Sequence, residues 1–243
     1  MPSIDVCFSP ELLHLYNLKG KAVVAVDILR ATSTMVTAFA HGAADIIPVM
    51  ELNECQAYAS QGCLTAAERE GIKAEGFDFG NSPFSYMETD ITGRTIAITT
   101  TNGTRAIRMS EEAAEIVIGA FLNLDAVAKH LTELQLDVII VCAGWKGMFN
   151  LEDTLFAGAL TEQLLDLAQF SSANDATLAA LHLYKKANSD VLSFLNDSSH
   201  VQRMKRLGIQ KDIEFCLQHN VYDVLPVWKK DRLVDLKKEI IEK

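Results

Sequence analysis

Glycine and proline are scarce, with 13 and 5 residues in a chain of 243. That excludes a fibrous or low-complexity protein. Cysteine is scarce too. Cys7, Cys55, Cys63, Cys142 and Cys216 are odd in number, widely spaced and free of any C-x-x-C pair. Such a set argues against a disulfide scaffold or a structural zinc site, and points to a reducing compartment. No apolar run approaches the ~18 residues of a membrane span. The segment Met1–Asp5 has neither the basic start nor the apolar core of a signal peptide. A cytoplasmic protein without a membrane partner is expected. Basic residues are outnumbered, 22 against 32 acidic, for a net charge of −10. A nucleic-acid partner is not expected, because neutralising phosphates over a broad surface needs clustered Lys and Arg. A small anionic ligand needs only a few local donors and stays open.

What is present is globular: 49% of residues are apolar and 22% charged, enough to bury a sizeable core. KAVVAV (21–26) reads as a strand buried on both faces. Residues 31–40 have a helix-compatible composition, 45–49 are β-like and 51–60 helical. Residues 61–93 are rich in Gly, charge and turn formers and read as a long ordered loop region. RTIAIT (94–99) is a strand, 104–110 a short helix, 115–118 β-like, 123–134 a helix and DVIIV (137–141) the clearest buried strand. Residues 153–170 form a strong amphipathic helix and 176–186 another. Beyond 188 the chain reads as mostly helical and more polar. With no repeat and no linker-like stretch, residues 1–243 are taken as one α/β domain with a helical C-terminal part.

Four segments place polar residues just after a strand or at a helix start, where open α/β sheets bind ligands. In the first, Asp27 ends the buried strand and precedes Arg30, Ser33 and Thr34. A carboxylate there can bind a hard cation or attack phosphorus, and Arg30 offers a bidentate fork to an anion. An Asp–Arg ion pair with a helix cap is the structural alternative. In the second, Thr101, Asn102, Gly103 and Thr104 read as a strand–loop–helix junction whose amides and hydroxyls can cradle an anion. In the third, Glu152 and Asp153 open the long helix. They either favour its dipole or join Asp27 to hold Mg²⁺. Cys142 is read as buried and inert. In the fourth, Glu68, Arg69 and Asn81 are site candidates, while Phe77 and Phe79 anchor the loop.

Several ready-made chemistries are missing. No Walker A lysine or G-x-G-x-x-G spacing is present, and none of the six histidines forms H-x-H or H-E-x-x-H. A Cys-x5-Arg loop from Cys142 would need an arginine where Met148 stands. A D-x-D motif from Asp27 would need an aspartate where Leu29 stands, and Ala40-His41-Gly42 is not Arg-His-Gly. Among the scattered histidines, His200 beside Ser199 is the one to watch.

The stretches VDILRATSTMVTA (26–38), AEREGIKAEGFDFGNSP (67–83), TTTNGTRAI (99–107), VCAGWKGMFNLEDTLFAG (141–158) and SSHVQRMKRLGIQKDIEFCLQHNVYDVLPVW (198–228) together resemble the 2-phosphosulfolactate phosphatase family of coenzyme M biosynthesis. Ala67 stands where a glycine is usual in that family. The resemblance implies a three-layer α/β/α fold, whose central sheet is expected to be mixed. It also implies Mg²⁺-dependent hydrolysis of (2R)-2-phospho-3-sulfolactate to sulfolactate and phosphate. Carried onto matching positions, it makes Asp27, Glu68, Glu152 and Asp153 the metal set, and Asp27, Arg30 and Asn102 the catalytic set. Arg69, Asn81, Thr101 and Gly103 become substrate-binding, joined by Ser33 and Thr104 from their places near helix starts, with Arg69 a candidate second cation for the sulfonate or carboxylate. Attack by a metal-activated water is favoured, with an aspartyl-phosphate on Asp27 as the alternative. Two other functions stay open: hydrolysis of another small phosphorylated hydroxy acid, and non-catalytic anion binding. A homo-oligomer fits the base rate for compact enzymes.

Overall fold

Ala22–Val26 (β2) is buried along its whole length, as an unbroken apolar run requires. It lies between Glu115–Gly119 (β7) and Val138–Cys142 (β8), parallel to both. Ser3–Cys7 (β1) runs parallel to β8, and the short Ser171–Ser172 (β9) closes that edge. On the other side, Asp45–Pro48 (β3), Thr95–Thr99 (β6) and Leu64–Arg69 (β4) form a second parallel block, edged by the antiparallel Ile72–Lys73 (β5). A hairpin of Pro226–Lys229 (β10) and Arg232–Asp235 (β11) joins the blocks, antiparallel to β7 on one side and to β3 on the other. The sheet therefore has eleven strands in the order β5-β4-β6-β3-β11-β10-β7-β2-β8-β1-β9. The computed structural model describes residues 1–167 and 169–241.

The helices are Ala31–Ala40 (α1), Leu52–Ala57 (α2), Pro83–Met87 (α3), Gly103–Arg108 (α4), Leu124–Leu134 (α5), Leu151–Asp166 (α6), Asp175–Ala187 (α7), Val191–Phe194 (α8), Ser199–Arg206 (α9), Gln210–Cys216 (α10) and Leu236–Ile241 (α11). From β2 the chain moves through α1 toward β3, whereas from β7 it moves through α5 in the opposite direction, to β8. Three antiparallel pairings separate β7 from β3, so β3 runs opposite to β2. Helix α1 packs with α4 and α5 with α6, and the result is a three-layer α/β/α fold with a mixed sheet. Among the described residues, no helix is long and apolar enough to cross a membrane.

Three sequence expectations are revised. Residues 61–93 carry β4, β5 and α3 rather than an uninterrupted loop. Ala66 and Ala67 of β4 give little β signal, yet both are buried, and β4 is held in register by β6. Ala67 donates its amide to Phe79 O (3.0 Å) and accepts from Ala74 N (3.0 Å). The polar C-terminal part also supplies the hairpin at the middle of the sheet. Its turn residues Lys230 and Asp231 both have positive φ (48° and 66°). Two such residues match the twist of a tight hairpin, but without Asn or Gly they leave no sequence signal. The helix expected over 153–170 spans Leu151–Asp166, and residue 168 lies outside the described residues.

Helices α6 and α7 pack closely because Gly158 carries no side chain. A Cβ there would lie 2.1 Å from Ala180 O and 2.6 Å from Tyr184 Cβ. The obstacle is helix backbone, which cannot rotate away. Gly158→Ala is expected to destabilise the protein by about 1–3 kcal/mol, the usual cost of overpacking, read as a lower midpoint in urea denaturation.

Candidate active site

Strands β2 and β8 are neighbours, but the chain leaves β2 through α1 toward β3 and leaves β8 through α6 toward β9, in opposite directions along the sheet. That divergence opens a crevice at the carboxyl edge of the sheet. Asp27 follows β2 directly. Asp153, in the first turn of α6, spans the crevice. Its Oδ1 accepts from Ile28 N (2.8 Å) and its Oδ2 from Gly144 N (3.2 Å). One buried carboxylate thus binds the two strand ends together. Gly103 at the start of α4 closes the third side. A Cβ there would lie 2.6 Å from Ala31 Cβ and 3.0 Å from Asp27 Oδ2.

The cleft is small, with a cavity volume of about 20 Å³, and is lined by Asp27, Arg30, Glu68, Asn81, Asn102 and His200, among others. Arg30 is buried, with its guanidinium fixed by Asp212 Oδ2 of α10 (2.5 Å) and Gly71 O (2.8 Å). Ser82 Oγ holds the other oxygen of Asp212 (3.1 Å). Glu68 accepts from Gly71 N through Oε1. Asn102 Oδ1 accepts from Lys146 N (3.3 Å), which leaves its amide group as a donor at the cleft. Asn81 Oδ1 is buried with no partner.

Helix α9 forms the outer wall. His200 donates from Nδ1 to Glu152 Oε1, which also accepts from Asn150 Nδ2 (3.2 Å). With Nδ1 so engaged, Nε2 is the His200 nitrogen left for a ligand. The imidazole stacks on Trp145, with centroids 5.5 Å apart.

Negative charge is concentrated here. Burial pushes the Asp27 carboxyl up to about 6, with Glu68 and Glu152 adding to the rise against His200 and the Ala31 amide. Burial, then Asp27 and Glu152, raise Asp153 well above the usual range. Cys142 is raised likewise, chiefly by burial, so its thiol is a poor nucleophile. Among the described residues, no three His, Cys, Asp or Glu side chains gather as ligands of one ion. Mg²⁺ needs fewer, commonly one or two carboxylates completed by waters and phosphate oxygens. Asp27 and Glu68, both facing the cleft, fit that pattern, and the carboxylate repulsion around Asp27 is of the sign a cation would relieve.

A family model described as 2-phosphosulpholactate phosphatase matches residues 7–231. The chain belongs to this family. Its members are phosphoric monoester hydrolases. A probable 2-phosphosulfolactate phosphatase of Caldanaerobacter subterraneus subsp. tengcongensis is 40% identical over 88% of this chain and 90% of its own. One from Thermotoga petrophila is 40% identical over 92% of this chain and 94% of its own. One from Clostridium acetobutylicum is 37% identical over 95% and 99%.

Within this phosphatase fold the residues singled out from sequence divide into three groups. Asp27, Arg30, Glu68, Asn81 and Asn102 share the cleft. Glu152 and Asp153 lie behind it, fully buried, turned to His200 and to the strand-end amides. The expected four-carboxylate set therefore splits into two at the cleft and two that hold its walls. Gly103 sets the approach of α4, and Thr101 Oγ1 is buried with no partner. Ser33 and Thr104 spend their hydroxyls on Ile28 O (2.9 Å) and Thr100 O (2.8 Å). Arg69 is tied to Glu68 O (2.7 Å) and Thr99 Oγ1 (3.1 Å) and does not line the cleft. Asp212, Arg203 and Trp145 were not foreseen. Each lies inside a matching segment, but only the tertiary fold brings Asp212 to Arg30 and Trp145 to His200 and Arg203.

Asp212→Ala leaves a buried guanidinium without its counter-ion. The expected cost is about 3–5 kcal/mol, measured as a lower denaturation midpoint. Phosphatase activity should fall with it even at temperatures where the variant is folded.

Proposed function

We propose that this enzyme is a Mg²⁺-dependent phosphatase that hydrolyses (2R)-2-phospho-3-sulfolactate to (2R)-3-sulfolactate and phosphate. The observation that carries the proposal is the meeting, in one small cleft, of two carboxylates (Asp27 and Glu68) with the Arg30 guanidinium and the Asn102 amide. The printed names of the relatives support the substrate. The free thiols suit a cytoplasmic enzyme.

Monoester hydrolysis is among the slowest uncatalysed reactions, so electrostatic help must be large. Mg²⁺, when bound by Asp27 and Glu68, supplies charge neutralisation at the phosphoryl group. Arg30 cannot swing, because Asp212 and Gly71 O fix it. It offers its remaining N–H groups to non-bridging oxygens at no reorganisation cost. Asn102 donates from the opposite wall. A water oxygen forms the new bond to phosphorus as the ester P–O bond breaks. Asp27 accepts the water proton. His200 gives its Nε2 proton to the departing alkoxide, while Glu152 holds Nδ1 and orients the ring.

The test is phosphate release from (2R)-2-phospho-3-sulfolactate with Mg²⁺ or EDTA, beside phosphoglycolate and 2-phospholactate. Metal-dependent turnover that favours the sulfonated ester is expected. Turnover of the other esters alone would move the substrate assignment, and binding without turnover would make the protein an anion-binding one. Asp27→Asn should lower kcat by roughly 10³-fold with an unchanged circular dichroism spectrum. Phosphate trapped covalently on Asp27 would replace water attack with an aspartyl-phosphate.

A further inference from the structure

Arg203 of α9 is a second guanidinium on the cleft wall. Its Cζ lies 3.6 Å from the centroid of Trp145, within cation–π range. That platform fixes the plane of the guanidinium. Its donors, by contrast, are poorly used. Arg203 Nε is buried with no acceptor, and Nη1 reaches Glu70 Oε2 only at 3.4 Å. Glu70 is itself an exposed side chain that also pairs with Lys146 (2.9 Å). Arg30 is the opposite case: deep in the cleft beside Asp27, with firm partners.

The proposed substrate carries its phosphate on C2, a sulfonate on C3 and a carboxylate on C1. A phosphoryl group held between Arg30 and Asp27 leaves the remaining anionic groups to face the wall. A sulfonate has three acceptor oxygens and stays ionised, so a planar fork suits it better than a point charge. We propose that Arg203, held by Trp145, binds the substrate's sulfonate, and that the Glu70 carboxylate is the weak counter-ion the sulfonate displaces. The inference rests on the substrate proposed above. It also removes the sulfonate from Arg69, whose guanidinium is bonded to Glu68 O and Thr99.

The test has a catalytic and a binding arm. In the first, kcat/KM is measured for 2-phospho-3-sulfolactate and for 2-phospholactate, which has a methyl group in place of the sulfonated carbon. Arg203→Met is expected to lower the ratio of the two values about 30-fold, or about 2 kcal/mol. Most of the loss should appear in KM for the sulfonated ester, as expected for binding shared by ground and transition states. An unchanged ratio overturns the assignment. In the second arm, calorimetry follows the binding of sulfolactate, with lactate as control. Arg203→Met should weaken sulfolactate at least tenfold, and Glu70→Gln, at an exposed position, should tighten it a few-fold. Wild-type protein that does not bind sulfolactate, equal binding by Arg203→Met, or weakening by Glu70→Gln each overturns the proposal. If wild-type protein hydrolyses neither ester, the substrate proposal fails alone. The binding arm then decides the sulfonate site by itself.

Discussion

The carboxylate of Asp153 is the fastening on which the site depends. It is fully buried and accepts from the amides of Ile28 and Gly144. Those amides belong to the turns that follow β2 and β8, the strands from which the chain departs in opposite directions along the sheet. The ladder between the two strands ends with the bond from Ala143 N to Val26 O (2.7 Å), and beyond it the two turns need another tie. A single side chain from α6 supplies it. Asp27 and the 143–147 loop then have one relative position, and the cleft is built before any ligand arrives. That order is what electrostatic catalysis requires, since donors that must reorient give back part of their gain.

Fastening with a carboxylate concentrates charge. Asp27, Glu68, Glu152 and Asp153 lie close enough for Glu68 and Glu152 to raise Asp27, and for Asp27 and Glu152 to raise Asp153. The protein answers part of this itself. His200 stands against Glu152 and lowers Asp27, while two backbone amides serve Asp153. Arg30 contributes less than its position implies, because Asp212 already partners it. The pair keeps a buried guanidinium rigid without making the cleft strongly cationic. Such a balance agrees with the proposed function, in which the phosphoryl group and a divalent cation are taken together.

Much of this was legible in the sequence wherever chemistry and local structure coincide. Asp27 ends an unbroken apolar run, so its place at a buried strand end follows from composition. Asn102-Gly103 precedes residues with helical rather than alternating pattern, so the junction could be placed. The parts that were not legible are long-range. Asp212 and Arg203 sit on polar helices where a charged residue is the default, and their meaning comes from Arg30 and Trp145, 182 and 58 positions away. Arg69 misled for the complementary reason: an arginine beside a cleft carboxylate looks like a ligand until the strand pairing turns it onto Thr99. The hairpin at the centre of the sheet was hidden because its turn uses Lys230 and Asp231 where Asn-Gly would have announced it.

The C-terminal segment also explains how a chain of net charge −10 can take a highly anionic ester. Net charge governs the far field, but a ligand in a cleft responds to the few groups within a Debye length that solvent does not screen. Here α9 and α10 supply His200 and Arg203 to the outer wall and Asp212 to Arg30. The chain then returns through β10 and β11 to the middle of the sheet. The hairpin anchors the wall from one side, since β10 and β11 pair with β7 and β3. On the other side, Trp145 from the β8–α6 loop meets His200 and Arg203. The wall is therefore held at both ends by elements of the sheet. An anionic ligand in the cleft meets Arg30 and Arg203 beside the carboxylates of Asp27 and Glu68 rather than a uniformly negative surface.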